Sequence, residues 1–311
     1  MRPARFAVCG LAGAVLVTAA LSCSSAPPRS DTVTDVKNQA IDATVSGQQY
    51  YSQGRYDLAL QFFTQALNDS ASVDNVDGVI KARISIGQVY LATGQVDAAE
   101  DMLIRAREQA RPRSLALFID SSISLGELYL GKEDPQKALP VFQEAVDAPQ
   151  AQPTPAQTGV LYHDIGSAWK EMGDMAKALD WLSRSLQSNL SHKLLEEAAA
   201  DYYMIASVHS KQGDFADALG NAQKALELDK KVESSPGIAK DLLALGLISS
   251  RKGDAAAAYD YFQRSYGVFA TLGQKSGMKK SLTELIAIAE GMGRTEEAQG
   301  YRQALERTGA Q

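Results

Sequence analysis

The sequence predicts an all-α fold in which about seven helix-turn-helix repeats stack into a solenoid. An alanine recurs at intervals of 39 or 40 residues, and a fixed period in this range is typical of stacked supersecondary units. Further residue columns keep the same period, whereas the alternating β-branched runs that would indicate strands do not occur in the sequence. The recurring alanines are Ala59, Ala99, Ala138, Ala178, Ala218, Ala258 and Ala298.

Two columns in phase with the alanine predict the seam of a helical hairpin. Twelve residues before the alanine, six repeats have a small residue that lets two helices approach closely. These positions hold Gly47, Gly87, Gly126, Gly166, Ala206, Gly246 and Ile286. Four residues after the alanine, a mostly apolar residue fills the seam at helical spacing. Those positions hold Phe63, Leu103, Phe142, Leu182, Ala222, Phe262 and Arg302.

A third column predicts where the first helix of each repeat ends. Five residues before the alanine stand Gly54, Gly94, Glu133, Gly173, Gly213, Gly253 and Gly293. Glycine readily adopts the left-handed conformation that ends a helix. An aspartate follows three of these glycines and can accept the free amides that open the second helix. The third repeat instead has Asp134 followed by Pro135, a cap residue with proline at the first helical position.

The columns resemble the tetratricopeptide repeat, a helical hairpin with the pattern W-x2-L-G-x2-Y followed by A-x3-F. Leu125, Gly126 and Tyr129, followed by Ala138 and Phe142, fit that pattern. The period of 40 exceeds the usual period of about 34 in the family, which predicts longer helices, and HEAT-like repeats of about 40–47 residues are the alternative. The resemblance implies a right-handed solenoid over residues 36–308, with repeats at 36–73, 74–112, 113–152, 153–192, 193–232, 233–272 and 273–308.

In the tetratricopeptide family the first helix of each repeat lines a concave groove that binds a protein or peptide. The resemblance implies that positions three before, one after and four after the small residue of the first column point into this groove. We therefore predict a partner-binding groove formed by Gln48, Tyr51, Gln88, Glu127, His163, Ser167, Lys170, Tyr203 and Ser207. A helix or an extended segment lying along the groove is the expected occupant. The alternative is that these residues only solvate an inner face.

The first 35 residues predict an export signal and a tether rather than part of the fold. Residues 1–22 combine two arginines with an apolar run, which is the composition of a secretory signal peptide. The segment before Cys23 resembles a bacterial lipobox, which implies lipidation of Cys23, and residues 23–35 then form a flexible tether. The expected location is the cell envelope, lipid-anchored at the periplasmic face of the outer membrane. The alternative is a soluble periplasmic or secreted protein.

Composition and motifs predict a binding protein rather than an enzyme. The formal net charge of −6 argues against a nucleic-acid partner, because such proteins carry a basic stripe. The sequence holds three histidines without the cysteines or spaced carboxylates of a zinc site, and no nucleotide-binding or hydrolase motif. We therefore predict a non-enzymatic, membrane-tethered adaptor or scaffold that binds another cell-envelope protein without a cofactor or metal. The alternative is a structural scaffold that self-associates into a homo-oligomer.

Overall fold

The computed structural model describes residues 32–148 and 153–310, and these form fourteen α-helices packed in consecutive pairs. In chain order the pairs are α1 (Val33–Ser52) with α2 (Tyr56–Ser72), α3 (Val76–Ala92) with α4 (Val96–Ala110), α5 (Leu115–Gly131) with α6 (Pro135–Val146), α7 (Pro155–Glu171) with α8 (Met175–Ser191), α9 (Leu195–Gln212) with α10 (Phe215–Lys231), α11 (Ser235–Lys252) with α12 (Ala255–Thr271), and α13 (Lys275–Gly291) with α14 (Thr295–Ala310). Each pair is one repeat, which confirms the prediction of an all-α array of seven helix-turn-helix units. Of these fourteen helices, none is both long and apolar enough to cross a membrane.

The two ends of the array differ from the predicted boundaries. Helix α1 begins at Val33, inside the segment predicted as a tether. Thr32 opens it with a capping box, because its side chain accepts the Asp35 amide while the Asp35 carboxylate accepts the Thr32 amide at 3.0 Å. Helix α14 continues to Ala310, two residues beyond the predicted end. The predicted signal peptide and Cys23 lie outside the described residues.

The predicted helix-ending column adopts the left-handed conformation in every repeat. Its six glycines have φ between 73° and 89°, and Glu133 has φ 56° at the equivalent position. Asp174 and Asp254 each accept a main-chain amide of the next helix at 3.1 Å, as predicted, whereas Asp214 makes no such bond. A second left-handed series, which the sequence did not predict, lies between repeats at Asp74, Lys193, Glu233 and Gly273.

In five of the seven hairpins, the seam is filled by a glycine facing a large side chain. All seven recurring alanines are fully buried. A Cβ atom added at Gly246 would lie 2.5 Å from the ring of Phe262, and one at Gly166 would lie 2.6 Å from Leu182. In the fifth repeat, where the small residue is Ala206, the facing position holds alanine as well. In that repeat the extra methyl group on one helix therefore accompanies a smaller side chain on the other, which keeps the approach of the two helices close.

Candidate functional site

The first helices of the repeats line the concave side of the array. Helices α1, α3, α5, α7, α9, α11 and α13 each contact the next first helix along the array. The second helices contact only their neighbours in sequence within the part of the chain that the structure describes. Helices that meet across repeats lie on the shorter, inner side of a curved solenoid.

A groove of about 840 Å³ runs along this inner face across the first four repeats. Three of the predicted partner-binding residues line it, namely Gln48, Gln88 and Glu127. Ile41 and Val45 of α1 add an apolar rim, because they are 60% and 58% exposed. The groove therefore offers amide and carboxylate groups beside an exposed apolar strip, which suits a segment of mixed polarity.

A smaller cavity of about 210 Å³, here called the inner pocket, lies between α5, α7, α8 and α9. Glu127 and Val160 line both cavities, so the inner pocket adjoins the groove. Six polar residues surround the inner pocket: Glu127, His163, Asp164, Asn189, Glu197 and Asp201. Two of them, Glu127 and His163, belong to the predicted groove.

A hydrogen-bond network fixes one wall of the inner pocket. Asp201 is fully buried and accepts a bond from His163 Nδ1 at 2.8 Å. Its second oxygen accepts from Ser185 Oγ at 2.9 Å and from Asn189 Nδ2 at 2.8 Å. Burial alone would lower the pKa of His163, but the hydrogen bond and charge of Asp201 outweigh it, so that the pKa is raised. This network holds His163 in place and satisfies both oxygens of Asp201.

The other wall of the inner pocket carries carboxyl groups without partners. Asp164 is buried and its Oδ2 atom has no hydrogen-bond partner. Burial, and then the charge of Glu127, raise the pKa of Asp164 to about 8. Glu127 is exposed at the surface of the groove, yet its carboxylate loses enough hydration for burial to raise its pKa as well. The pocket thus contains acidic groups that are poorly accessible to water.

A third cavity, of about 520 Å³, lies between α9, α10 and α11 and contains the predicted residue Tyr203. Its floor holds Asp229 and Asp241, which are 6% and 2% exposed. Burial raises the pKa of both carboxyl groups, and in Asp241 the charge of Asp229 adds to the effect and brings the pKa to about 8. The two buried carboxyl groups therefore resist losing both of their protons.

The remaining predicted residues lie on the first helices but outside these three cavities. Tyr51 is half-buried and packs edge-on against Tyr56, with ring centroids 5.4 Å apart. Ser167 and Ser207 are also half-buried. Lys170 is half-buried too, and burial, with a smaller effect from the Lys211 charge, lowers its pKa. Five of the nine predicted residues therefore line a cavity, and the other four lie elsewhere on the first helices of the repeats.

Sequence reasoning missed the buried polar residues at the junctions between repeats. Asn189 and Asp229 are equivalent residues of α8 and α10, 40 residues apart. Asp201 and Asp241 are equivalent residues of α9 and α11, again 40 apart. This second periodic pair was a signal in the sequence, but aspartate in an acidic helical array is ordinarily exposed. Among the described residues, no three side chains of His, Cys, Asp or Glu gather to hold a metal ion.

Two models of the tetratricopeptide repeat match the chain. One matches residues 43–111 and 196–271 and the other matches residues 84–154, so that together they span more than half of the sequence. Neither model describes a catalytic family. No protein with a curated description matches the chain.

Solved structures share the same fold at low sequence identity. The apo form of the quorum sensor NprR from B. thuringiensis is similar with a TM-score of 0.70 and 18% identity, over 89% of this chain and 77% of that one. A Rap protein complexed with Competence and Sporulation Factor is similar with a TM-score of 0.64 and 14% identity, over 88% and 75%. BtubC from P. vanneervenii is similar with a TM-score of 0.61 and 18% identity, over 69% and 91%. At these identities the likeness shows the fold alone.

Proposed function

Because the chain belongs to the tetratricopeptide repeat family, we propose that it is a non-enzymatic adaptor that binds a segment of another cell-envelope protein along its concave face. In this proposal a lipid on Cys23 holds the adaptor at the membrane, at the periplasmic face of the outer membrane. The repeat array is a protein-interaction scaffold, and the groove of about 840 Å³ is the observation that carries the assignment of its working surface.

The chemistry of the groove supports a peptide segment as the occupant. Gln48 and Gln88 are exposed and have side-chain amides that can donate and accept hydrogen bonds to a main chain. Ile41 and Val45 offer apolar surface on the same side. A polar floor beside an apolar rim matches an amphipathic helix or an extended strand better than a small ligand. The Rap protein complexed with Competence and Sporulation Factor is an example of a similarly folded chain that holds a partner.

The membrane tether is proposed from sequence composition. The apolar run before Cys23 is too short for a comfortable membrane span, and it ends at small residues and a cysteine. The net charge of −6 would keep the helical body away from an anionic bilayer, so that the lipid would be the point of attachment. An adaptor attached only at its N-terminus leaves the concave face free to bind.

Site-specific photo-crosslinking in the native envelope tests the proposed surface. A photoreactive residue at Gln88 on α3 is compared with one at Gln65 on α2, since both are exposed glutamines and only Gln88 lies in the groove. We expect a discrete adduct with another envelope protein from Gln88 and none from Gln65. Equal labelling from both positions, or no adduct from Gln88, would refute the groove as the working surface.

Self-association is the second candidate, and one observation favours it. No repeat precedes α1 in the described chain, and Val33, Ile41 and Val45 on that helix remain more than half exposed. Such an uncovered apolar strip is a candidate interface between two copies. Molar mass in solution decides this point, because a dimer that Ile41→Glu converts to monomer would favour a scaffold over an adaptor.

A further inference from the structure

We propose that the inner pocket binds a cationic group, an alkylguanidinium or alkylammonium, presented by the partner that lies in the groove. The observation behind this proposal is that the pocket contains buried hydrogen-bond acceptors to which no group of the protein donates. That the cation belongs to an arginine or lysine side chain of a partner rests on the proposed function. The preference of the pocket for a cation is independent of that function.

Two buried acceptors in the inner pocket lack a hydrogen-bond partner. One is Asp164 Oδ2 and the other is Asn189 Oδ1, and both residues are more than nine-tenths buried. Leaving a buried polar atom unpaired costs about 1–3 kcal/mol, and more for a charged group. Native folds leave few such atoms, and each one meets a water, an ion or a ligand, or stores strain. Two of them at one cavity indicate a ligand that donates more than one hydrogen bond.

Two donors of the protein at the pocket are already used. His163 Nδ1 and Asn189 Nδ2 both donate to Asp201, at 2.8 Å each. Glu127 and Glu197, which also line the pocket, have carboxylate oxygens and add further acceptors. Asn189 Oδ1 and the ionised carboxylates therefore require donors, and the acidic lining favours a positively charged ligand over an anion.

The size of the pocket limits the ligand to a side-chain head group. A volume of about 210 Å³ exceeds the ~30 Å³ share of one water molecule. It is also below the ~300–1,000 Å³ typical of pockets for drug-sized ligands. A planar guanidinium can donate to two acceptors at once, whereas an ammonium is a compact point donor. Because the pocket adjoins the main groove, a side chain can enter it while its main chain remains in the groove.

The proton on Asp164 gives the pocket a characteristic pH dependence. Because the pKa of Asp164 is raised to about 8, the carboxyl is largely protonated at neutral pH and must lose its proton to bind a cation. Glu127 from α5, His163 from α7, and Glu197 and Asp201 from α9 are the other titratable groups around it. Deprotonation of His163 at higher pH removes a competing positive charge. Affinity for a cation is therefore expected to rise with pH towards about 8 and then to level off.

Nuclear magnetic resonance of the full chain with methylguanidinium tests the proposal directly. The sequence contains only three histidines, so the ring signals of His163, His192 and His209 are assigned by single substitutions. We expect methylguanidinium, and more weakly methylammonium, to shift the His163 signal saturably while the exposed His192 signal stays unchanged. Methylurea, which has a similar shape and no charge, should have no such effect.

Matched variants separate a bound cation from general electrostatics. Asp164→Asn removes the unpartnered carboxylate and should weaken methylguanidinium binding by about tenfold or more. Asp97→Asn removes the same charge from an exposed position on α4, outside the groove and the pocket, and should leave the affinity unchanged. Glu197→Gln is a second pocket variant in case Asp164→Asn fails to fold, and it too should weaken binding.

The outcomes distinguish the pocket from the adaptor function. No saturable shift of His163, an equal response to methylurea, or equal affinity in Asp164→Asn would overturn the cation pocket, even if Gln88 still crosslinks to a partner. Saturable, charge-dependent binding without any crosslink from Gln88 would support the pocket and refute the adaptor. If both experiments succeed, replacing basic residues of the captured partner one at a time identifies the side chain that enters the pocket.

Discussion

Replacing Gly246 with alanine tests the packing of the hairpin seam at a single atom. The added Cβ would lie 2.5 Å from two carbons of the Phe262 ring, about 1 Å inside ordinary van der Waals contact. Phe262 is fully buried, so its ring cannot move into solvent. Overpacking of this kind costs about 1–3 kcal/mol, and the better helix propensity of alanine returns about 1 kcal/mol at most. We expect a net loss of about 1–2 kcal/mol in the free energy of unfolding.

Gly267 provides the matched control because it lies inside α12 of the same repeat. It is exposed, and an added Cβ would contact nothing within 4 Å. Gly267→Ala should therefore be neutral or stabilising by up to about 1 kcal/mol. Urea denaturation followed by circular dichroism measures both variants. If Gly246→Ala proves no less stable than Gly267→Ala, the assignment of the glycine column to close helix approach is wrong.

The fifth repeat supplies a natural compensation for the same change. There Ala206 faces Ala222, so the extra methyl group on one helix accompanies a smaller side chain on the other. Phe262→Ala alone should cost about 3–5 kcal/mol because it leaves a cavity. Adding Gly246→Ala to that variant should cost nothing or restore part of the stability, which gives a coupling of about 1–3 kcal/mol. Additive effects would contradict direct contact between the two positions.

Three further predictions concern the alanine column, the buried carboxyl pair and the tether. Ala178→Leu should overpack the fully buried seam and lower unfolding stability by about 1–3 kcal/mol, and unchanged stability would mean that the register is wrong. The raised pKa of Asp241, about 8 against an ordinary 3.8, means that its contribution to stability is largest in acid and is lost as pH rises towards 8. Urea denaturation between pH 4 and 8 measures this loss, whose slope is at most about 1.4 kcal/mol per pH unit. Asp241→Asn should reduce the slope of unfolding free energy against pH, and an unchanged slope would contradict a buried, protonated Asp241. Cys23→Ser should move the protein out of the membrane fraction, and retained association would count against lipidation.

The hairpins were predictable from the sequence because their packing depends on residues within one repeat. Gly166 and Leu182 are 16 residues apart, and the same spacing joins the small and large columns in every repeat. The left-handed turn at Gly173 is likewise a local preference. The turn occurs in all seven repeats and the pair of a glycine and a large residue in five, so that exceptions such as Glu133 could be assigned from the other repeats.

The end of the array was less predictable because a helix start depends on capping rather than on the repeat. Thr32 and Asp35 form a capping box that begins α1 before the first repeat column. The repeat columns carry no information about this cap, and the predicted tether therefore extended to residue 35. The turn residues Asp74 and Lys193, which are not glycine, escaped prediction for a related reason, since glycine was the expected residue at a left-handed position.

The candidate site was predictable as a face but not as a set of cavities. The resemblance to the tetratricopeptide repeat implied that Glu127 and His163 face a groove, and in the structure both residues line the inner pocket. Their chemistry depends on Asp164 and Asp201, whose burial arises only when two consecutive repeats meet. His163 was predicted to contact a partner. In the structure its Nδ1 atom already donates a hydrogen bond to Asp201, so that Nδ1 is not available to a partner.

The junctions between repeats, rather than the hairpins, decide where this array has room for a ligand. One position of the second helix recurs every 40 residues and holds Asn189 in α8, Asp229 in α10 and Phe269 in α12. A cavity opens beside each of the two polar residues, whereas Phe269 is buried and packs beside the first turn of α13. Because this position lies outside the seam of the hairpin, its residue can change from polar to aromatic without disturbing the fold of the repeat. The residue at this position therefore sets whether a junction is open or filled, and Asn189 lies at the junction where the cation pocket is proposed.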